Sequence, residues 1–469
     1  MTVALTDLTL EELHAKLIAK EIVPSDIVEA LFEKIEATDD IINAYISTYK
    51  EEALSQAEIA EKEIAEGRVK GPLHGIPLAV KDNIFYKNHV TTMASKIHEF
   101  FIPDHDATVM TKLKDAGAII IGKLNMHEYA LSITNDNPHF GPVRNPWNKE
   151  KISGGSSGGS AASVAVGSTP VSIGTDTAGS IRIPAAACGV VGLKPTRGVV
   201  SAHGVYPLSW TQDHVGPMAK TVKDTAILLE SIADFDENDP VSVESNLSGL
   251  SKNLTGNISG LTIGIDEAYF FNNIDAPIEK AVRETVDELK SKGVIIKKVT
   301  IPALKDMDWA GFTLTVSEGS AIHKRSILER PEDFGEDIRP FLQMGAFPSS
   351  KDYANAQKAR EQIIHDFEEV FQQVDVLISP TIPVFPNNIG ESEALLNAEK
   401  VELLPHFIRL TGPANIAGLP ALSVPCGVHE GLPIGLQIIG KAFADETVLQ
   451  TGLAVEKLKR MEGYHVKES

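Results

Sequence analysis

Short apolar runs separated by helical segments constrain this chain more than any other feature. Ile76–Val80, Ala118–Ile121 and Val171–Ile173 lack the polar alternation of a half-exposed strand, and helical stretches such as Ala107–Ala116 lie between them. Runs of that kind read as strands buried on both faces, which requires helices over the sheet. Leu261–Ile265, Val376–Ser379, Ala421–Val424 and Ile434–Ile439 repeat the texture later in the chain. Helical periodicity marks residues 9–20, where Thr9 and Glu12 have capping-box spacing, then 27–35, 51–66, 278–292 and a closing 446–459. The expected class is α/β, and Lys81 falls where the first core strand should end. In such folds chemistry gathers at strand ends, because the loops there converge on one edge of the sheet.

Between these runs lies Lys151-Ile-Ser-Gly-Gly-Ser-Ser-Gly-Gly-Ser-Ala-Ala162, followed by Gly174-Thr-Asp-Thr-Ala-Gly-Ser-Ile-Arg182. Glycine lets the chain turn sharply and lets a substrate approach main-chain N–H groups. A flexible linker would not continue into Ser160–Val166, which reads as a short buried helix. A structured, serine-lined turn is the better reading.

Composition narrows the classes of function. With 469 residues and 43% hydrophobic content the chain can bury a large core. Its 43 basic against 64 acidic residues leave a net charge of −21, a surface that repels phosphate backbones and anionic membranes. Direct nucleic-acid binding is therefore not expected. Cys188 and Cys426 lie far apart in apolar settings and read as reduced, buried thiols. The start lacks a basic region followed by an apolar stretch, and no run approaches the roughly 18 apolar residues of a spanning helix. A cytoplasmic protein is expected.

Several motifs fail on context. Gly154-Gly-Ser156-Ser-Gly158 fits the nucleophile elbow of α/β-hydrolases, but polar Arg144–Lys151 stands where an apolar strand should precede it. A phosphate loop would end Gly-Lys-Ser/Thr, whereas this run ends Gly159-Ser-Ala-Ala. Ser47-Thr-Tyr-Lys50 lacks the companion motifs of penicillin-binding enzymes. Asp104-His-Asp106 and His127-Glu128 lack metal-ligand spacing. His203 and His214 are candidate bases for a serine, or plain polar residues.

Gly71-Pro-Leu-His-Gly-Ile-Pro-Leu-Ala-Val-Lys-Asp-Asn83, Gly122-Lys-Leu-Asn-Met-His-Glu-Tyr129, the glycine-serine run and Gly174–Pro184 together resemble the amidase signature family. Cys188–Thr196, Asp213–Met218, Pro413–Pro420 and Gly431–Gln437 extend the likeness in order along nearly the whole chain. The resemblance implies a single large α/β domain, residues 1–469, with a mixed central β-sheet covered on both faces by α-helices. Within it, 1–70 is an N-terminal helical segment, 71–225 the catalytic core, and 226–469 completes the sheet and the substrate pocket. It further implies a triad of Ser180 as nucleophile, Ser156 as bridging serine after a cis peptide, and Lys81 as base. Thr177, Ala178, Gly179 and Ser180 would supply the oxyanion hole, with no cofactor and no metal.

A serine hydroxyl attacks only when a neighbour takes its proton, and a lysine does so only when neutral, so Lys81 should be enclosed and hydrogen-bonded to a serine. The implied activity is amide hydrolysis through an acyl-enzyme, with esters and carbamates open to the same path. Ala178 stands where the family usually has glycine, which would matter if that position needed positive φ. Asp176 and Arg182 flank the nucleophile with opposite charge, either to orient substrate or to fix the loop as a buried pair. Leu131–Phe140, Tyr206–Gln212 and 305–350 are the expected pocket segments.

A stand-alone amidase is expected rather than the glutamine-hydrolysing subunit of glutamyl-tRNA amidotransferase. That subfamily usually carries Asp-Pro-x-x-Met-Tyr where this chain has Gly390-Glu-Ser-Glu-Ala-Leu-Leu-Asn-Ala-Glu, and a serine-rich approach where it has Leu208-Ser-Trp-Thr-Gln212. The partner would then be a small-molecule amide, acted on by a monomer or homodimer. A catalytically silent binding or scaffold member is the remaining alternative.

Overall fold

The computed structural model describes residues 4–397 and 399–459. One sheet of 11 strands runs through the molecule. In chain order the strands are β1 (Tyr45–Thr48), β2 (Pro77–Lys81), β3 (Ile119–Leu124), β4 (Val171–Asp176), β5 (Val191–Lys194) and β6 (His214–Ala219). They continue with β7 (Thr262–Ile265), β8 (Ile295–Lys298), β9 (Val376–Pro380), β10 (Ala421–His429) and β11 (Leu432–Gly440). Across the sheet the order is β1, β3, β2, β4, β6, β5, β10, β11, β9, β7, β8. The strands β3, β2 and β4 are mutually parallel, as are β9, β7 and β8, and the strands between them pair antiparallel. This is the single α/β domain with a mixed, helix-flanked sheet that the sequence implied.

Every residue of β2, β3 and β4 is buried, which explains their continuous apolar runs. Side-chain alternation shows how both faces are covered. Gly192 pairs with Ser423 and Leu193 with Leu422, so the glycine and Leu422 face opposite ways. A Cβ on Gly192 would meet Ala185 and Ile181 at 2.8 and 2.9 Å, so the helix Arg182–Cys188 and the segment before it lie on that face. Leu422 meets Gly452 of the helix Asp445–Lys459 on the other.

The helix Leu10–Ile18 opens with a formed capping box between Thr9 and Glu12, and Thr108–Asp115 and Ala276–Lys290 lie close to their expected bounds. The strands β1, β5, β6 and β8 were not foreseen, nor were the long helices Met307–Glu329 and Ser350–Phe371. β5 and β6 carry Gly192, Gly216 and Pro217, which weaken any strand pattern read locally. Among the described residues no helix is long and apolar enough to cross a membrane.

Buried charge marks where function should be sought. Lys81 and Asp176 end β2 and β4, and Lys123 lies near the end of β3, all with 0% exposure. A charge in such a place is costly without a partner. Lys123 finds Asp82 at 3.1 Å and the Ile84 carbonyl at 2.6 Å.

Candidate active site

Because β2 and β4 are parallel neighbours, Lys81 and Asp176 emerge on one edge of the sheet. The glycine-serine run reaches the same edge. The Ser157 hydroxyl donates to the Thr175 carbonyl at 3.0 Å, and the Ser157 N–H donates to the Ser180 carbonyl at 3.2 Å. The peptide Gly155–Ser156 is cis, and the helix Gly158–Val166 then packs along β2, β4 and β6.

Lys81 Nζ donates to Ser156 Oγ at 2.7 Å and to Thr175 Oγ1 at 2.8 Å. Among the described residues no carboxylate is bonded to it. Burial pushes its amine down from the usual 10.5 to about 7, while the charges of Asp176 and Asp213 pull the other way. Near neutral pH much of it is therefore free amine, able to take a proton. Ser180 is 6% exposed and lines a cavity. Its hydroxyl has no hydrogen-bond partner among the described residues, which suits a nucleophile whose contacts tighten when substrate arrives.

The segment carrying Ser180 is held from behind. Asp176 accepts from the N–H groups of Gly179 at 2.7 Å and Ile181 at 3.1 Å. Arg182 is fully buried and donates to both Asp176 oxygens, at 3.1 and 3.0 Å. Its other donors reach Gln437 and Asn415, each at 2.6 Å, and the Thr411 carbonyl at 2.9 Å, so all five are used. Burial alone would raise the Asp176 carboxyl, but the Arg182 charge and these bonds outweigh it and hold it below the usual range. Of the two roles open for this pair, fixing the loop is the one its geometry serves. Sequence reasoning gave no role to Thr411, Asn415 or Gln437; the one signal was an amide side chain inside otherwise apolar late segments.

The Gly179 N–H is committed to Asp176, which leaves those of Thr177, Ala178 and Ser180 without a partner among the described residues. Within this segment only Gly179 has a positive φ, 134°. The alanine at 178 is thus not asked for a left-handed backbone, and the glycine requirement falls one residue later. A Cβ on Gly179 would strike Thr411 Oγ1, whose hydroxyl donates to the Ala178 carbonyl at 2.6 Å.

The cavity over Ser180 measures about 460 Å³. Leu131, Leu208 and residues between 307 and 344 supply walls from the three expected segments, and Leu404 and Ile408 on the helix Leu403–Ile416 add an unforeseen one. The lining is mostly apolar. Arg409 also lines it, but its guanidinium donates to the carbonyls of Tyr269 and Asn272, both at 2.6 Å. Neither histidine weighed as a base is bonded to Ser180: His214 Nδ1 sits 2.6 Å from the Gln212 carbonyl, and His203 Nδ1 is 3.4 Å from the Thr108 hydroxyl.

The family model described as Amidase matches residues 26–449. The A subunit of the glutamyl-tRNA(Gln) amidotransferase of Geobacillus thermodenitrificans is 39% identical over 478 residues, covering 97% of this chain and 98% of that relative. The solved A subunit of the Thermotoga maritima glutamyl-tRNA(Gln) amidotransferase superposes with a TM-score of 0.80 at 34% identity, over 97% of this chain and 96% of its own. Another structure, described as "An unexpected vestigial protein complex reveals the evolutionary origins of an s-triazine catabolic enzyme", gives a TM-score of 0.93 at 33% identity, over 96% of this chain and 98% of its own.

These likenesses overturn two expectations. The missing Asp-Pro-x-x-Met-Tyr segment and the replaced serine-rich approach pointed to a stand-alone amidase and away from the amidotransferase subunit. They are two local stretches, whereas the identity with that subunit runs along 97% of the chain. A small-molecule amide as sole partner, with no nucleic acid and at most a homodimer, falls with that expectation, since the relatives are subunits of an enzyme named for glutamyl-tRNA. The net charge of −21 speaks only of this chain's own surface, not of a neighbouring subunit's. With likeness running nearly end to end and a buried lysine meeting serine at the sheet edge, the chain belongs to the amidase signature family.

Proposed function

We propose that this chain is the amide-hydrolysing subunit of an amidotransferase-type assembly, freeing ammonia from glutamine for a partner subunit to use. The 39% identity with an amidotransferase subunit, sustained over 97% of the chain, carries the reading. In this mechanism Lys81 takes the Ser180 proton through the Ser156 hydroxyl as Ser180 Oγ adds to the amide carbonyl carbon. The N–H groups of Thr177, Ala178 and Ser180 face the developing oxyanion, where fixed donors act most strongly. The proton returns along the same relay to the leaving nitrogen, the C–N bond breaks, and water repeats the sequence to release the acid. The 2.7 Å bond from Lys81 to Ser156 and the near-neutral amine support the relay.

Ammonia release from glutamine, measured on the chain co-purified with the subunits it binds and beside Ser180→Ala, tests the reading. Turnover lost in the variant is expected. Glutamine left intact by a preparation that cleaves other amides would sink it.

The cavity favours a second reading of the substrate, not of the chemistry. Glutamine would present a carboxylate, yet Arg409 is turned onto carbonyl oxygens while Leu131, Ile133, Phe312 and Phe341 form the walls. An amide with an aromatic or branched aliphatic acyl group matches that lining. Comparing kcat/KM for glutamine with that for aryl and branched acyl amides decides between them.

A further inference from the structure

The loop Leu208–Gln212 walls the acyl cavity, and Asp213 follows it. The Asp213 carboxylate accepts the Thr177 hydroxyl at 2.6 Å on one oxygen, and the N–H groups of Leu208 and Ser209 at 2.9 and 3.0 Å on the other. One side chain thus ties the cavity wall to the first residue of the oxyanion segment. Behind the loop, Glu318 is fully buried on the helix Met307–Glu329. It accepts from Ser209 Oγ at 2.7 Å, Thr211 Oγ1 at 2.8 Å and the Tyr353 hydroxyl at 2.9 Å. The same helix gives Met307, Phe312 and Thr315 to the cavity, and Gln212 Nε2 donates to Thr315 Oγ1 at 3.0 Å. Helix, loop and oxyanion segment form one hydrogen-bonded unit.

The geometry points to Asp213 as a positioning residue that aims the Thr177 N–H and, through the loop anchored on Glu318, links the acyl cavity to the oxyanion segment. This rests on the reading of Ser180 as nucleophile. Asp213 acts through Thr177 and is two bonded contacts removed from any reacting atom. An oxyanion donor turned by a fraction of an ångström loses much of its effect on the transition state and little of its effect on binding. Asp213 has an electrostatic effect as well, since its charge and that of Asp176 oppose the burial that lowers the Lys81 amine. The charged groups facing Asp213 are Lys81 at the end of β2, Glu318 on the helix and Arg197 in the segment after β5.

Labelling of Ser180 by an alkyl fluorophosphonate tests this without knowledge of the natural amide, because the phosphonyl oxygen takes the oxyanion position. Thr177→Val should lower the maximal labelling rate about ten- to a hundredfold with affinity unchanged within about twofold, and Thr177→Ser should restore it. Asp213→Asn should slow labelling likewise and move its pH midpoint downward, because the Lys81 ammonium loses a stabilising charge. The double variant should be no slower than Asp213→Asn alone, since both act on one donor. Wild-type rates in folded Thr177→Val and Asp213→Asn, losses that multiply, or a loss that serine does not rescue would each overturn the proposal. Label or turnover persisting in Ser180→Ala would instead remove the nucleophile assignment, so the two failures are told apart.

Discussion

Replacing Lys81 by methionine should abolish amide hydrolysis and, below neutral pH, make the protein more stable. The amine falls from 10.5 to about 7 on burial, and at 1.36 kcal/mol per pH unit that corresponds to about 5 kcal/mol held against the fold when the group is protonated. Methionine has similar length and no charge, but it gives up the bonds to Ser156 and Thr175, at about 1 kcal/mol each. The net gain is on the order of 3 kcal/mol near pH 6. The sign follows from linkage. Between about pH 7 and 10.5 the unfolded chain holds a proton on this lysine that the folded chain does not, so wild-type stability climbs with pH across that window. Below it both states are protonated and the penalty is complete; above it both are neutral and the penalty is gone. The variant lacks this climb, so its advantage should shrink steadily toward high pH. Urea midpoints for wild type and Lys81→Met near pH 6, 8 and 10 measure the effect, with Ser180→Ala as an inactive control that keeps the lysine. Equal slopes of stability against pH for wild type and Lys81→Met would refute the claim that burial is what makes this amine a base.

Four further outcomes are expected. The kcat/KM of the wild type should rise about tenfold per pH unit up to roughly pH 7 and level off above, tracking neutral Lys81; a flat profile over that range would contradict the assignment. Ser156→Ala should cut kcat by about 10²–10⁴ and lower the melting temperature by no more than a few degrees, since it breaks the relay and one buried bond to Lys81 while leaving the surrounding packing. Gly179→Ala should lose both activity and stability, because the residue sits at φ 134° and its new Cβ would strike Thr411 Oγ1; Ala178→Gly, by contrast, should leave kcat within about threefold. Asp176→Asn should destabilise the fold by about 3–5 kcal/mol in denaturant melts, since it strips the buried Arg182 of its counter-charge.

The residues proposed for catalysis took their roles from the resemblance to the amidase signature family; local pattern alone gave only their places. Lys81 ends an apolar strand, and Ser156 and Ser180 lie on glycine-rich turns beside a helix and a strand. What holds them left no such trace. Three of the five bonds of Arg182 reach Thr411, Asn415 and Gln437, which join the site only because β10 and β11 occupy the sheet beside β5 and the helix Leu403–Ile416 packs over the nucleophile segment. The same distance effect hid where glycine is needed: the condition placed on Ala178, a positive φ, is met by Gly179, and a Cβ there would meet Thr411 from the distant helix.

The partner question failed for a related reason. Two missing segments near 210 and 390 were given the weight of a whole framework, although neither supplies a bond to Lys81, Ser156 or Ser180. Charge was similarly overread, because a net −21 averages over a surface on which the acyl cavity and any subunit face are small patches. If amide-derived ammonia is to be used elsewhere, it must leave before the acid does, because water attacks the acyl-enzyme only after the C–N bond has broken. Burial is what lowers the Lys81 amine, so a wet channel cut toward it would raise that amine and disable the base.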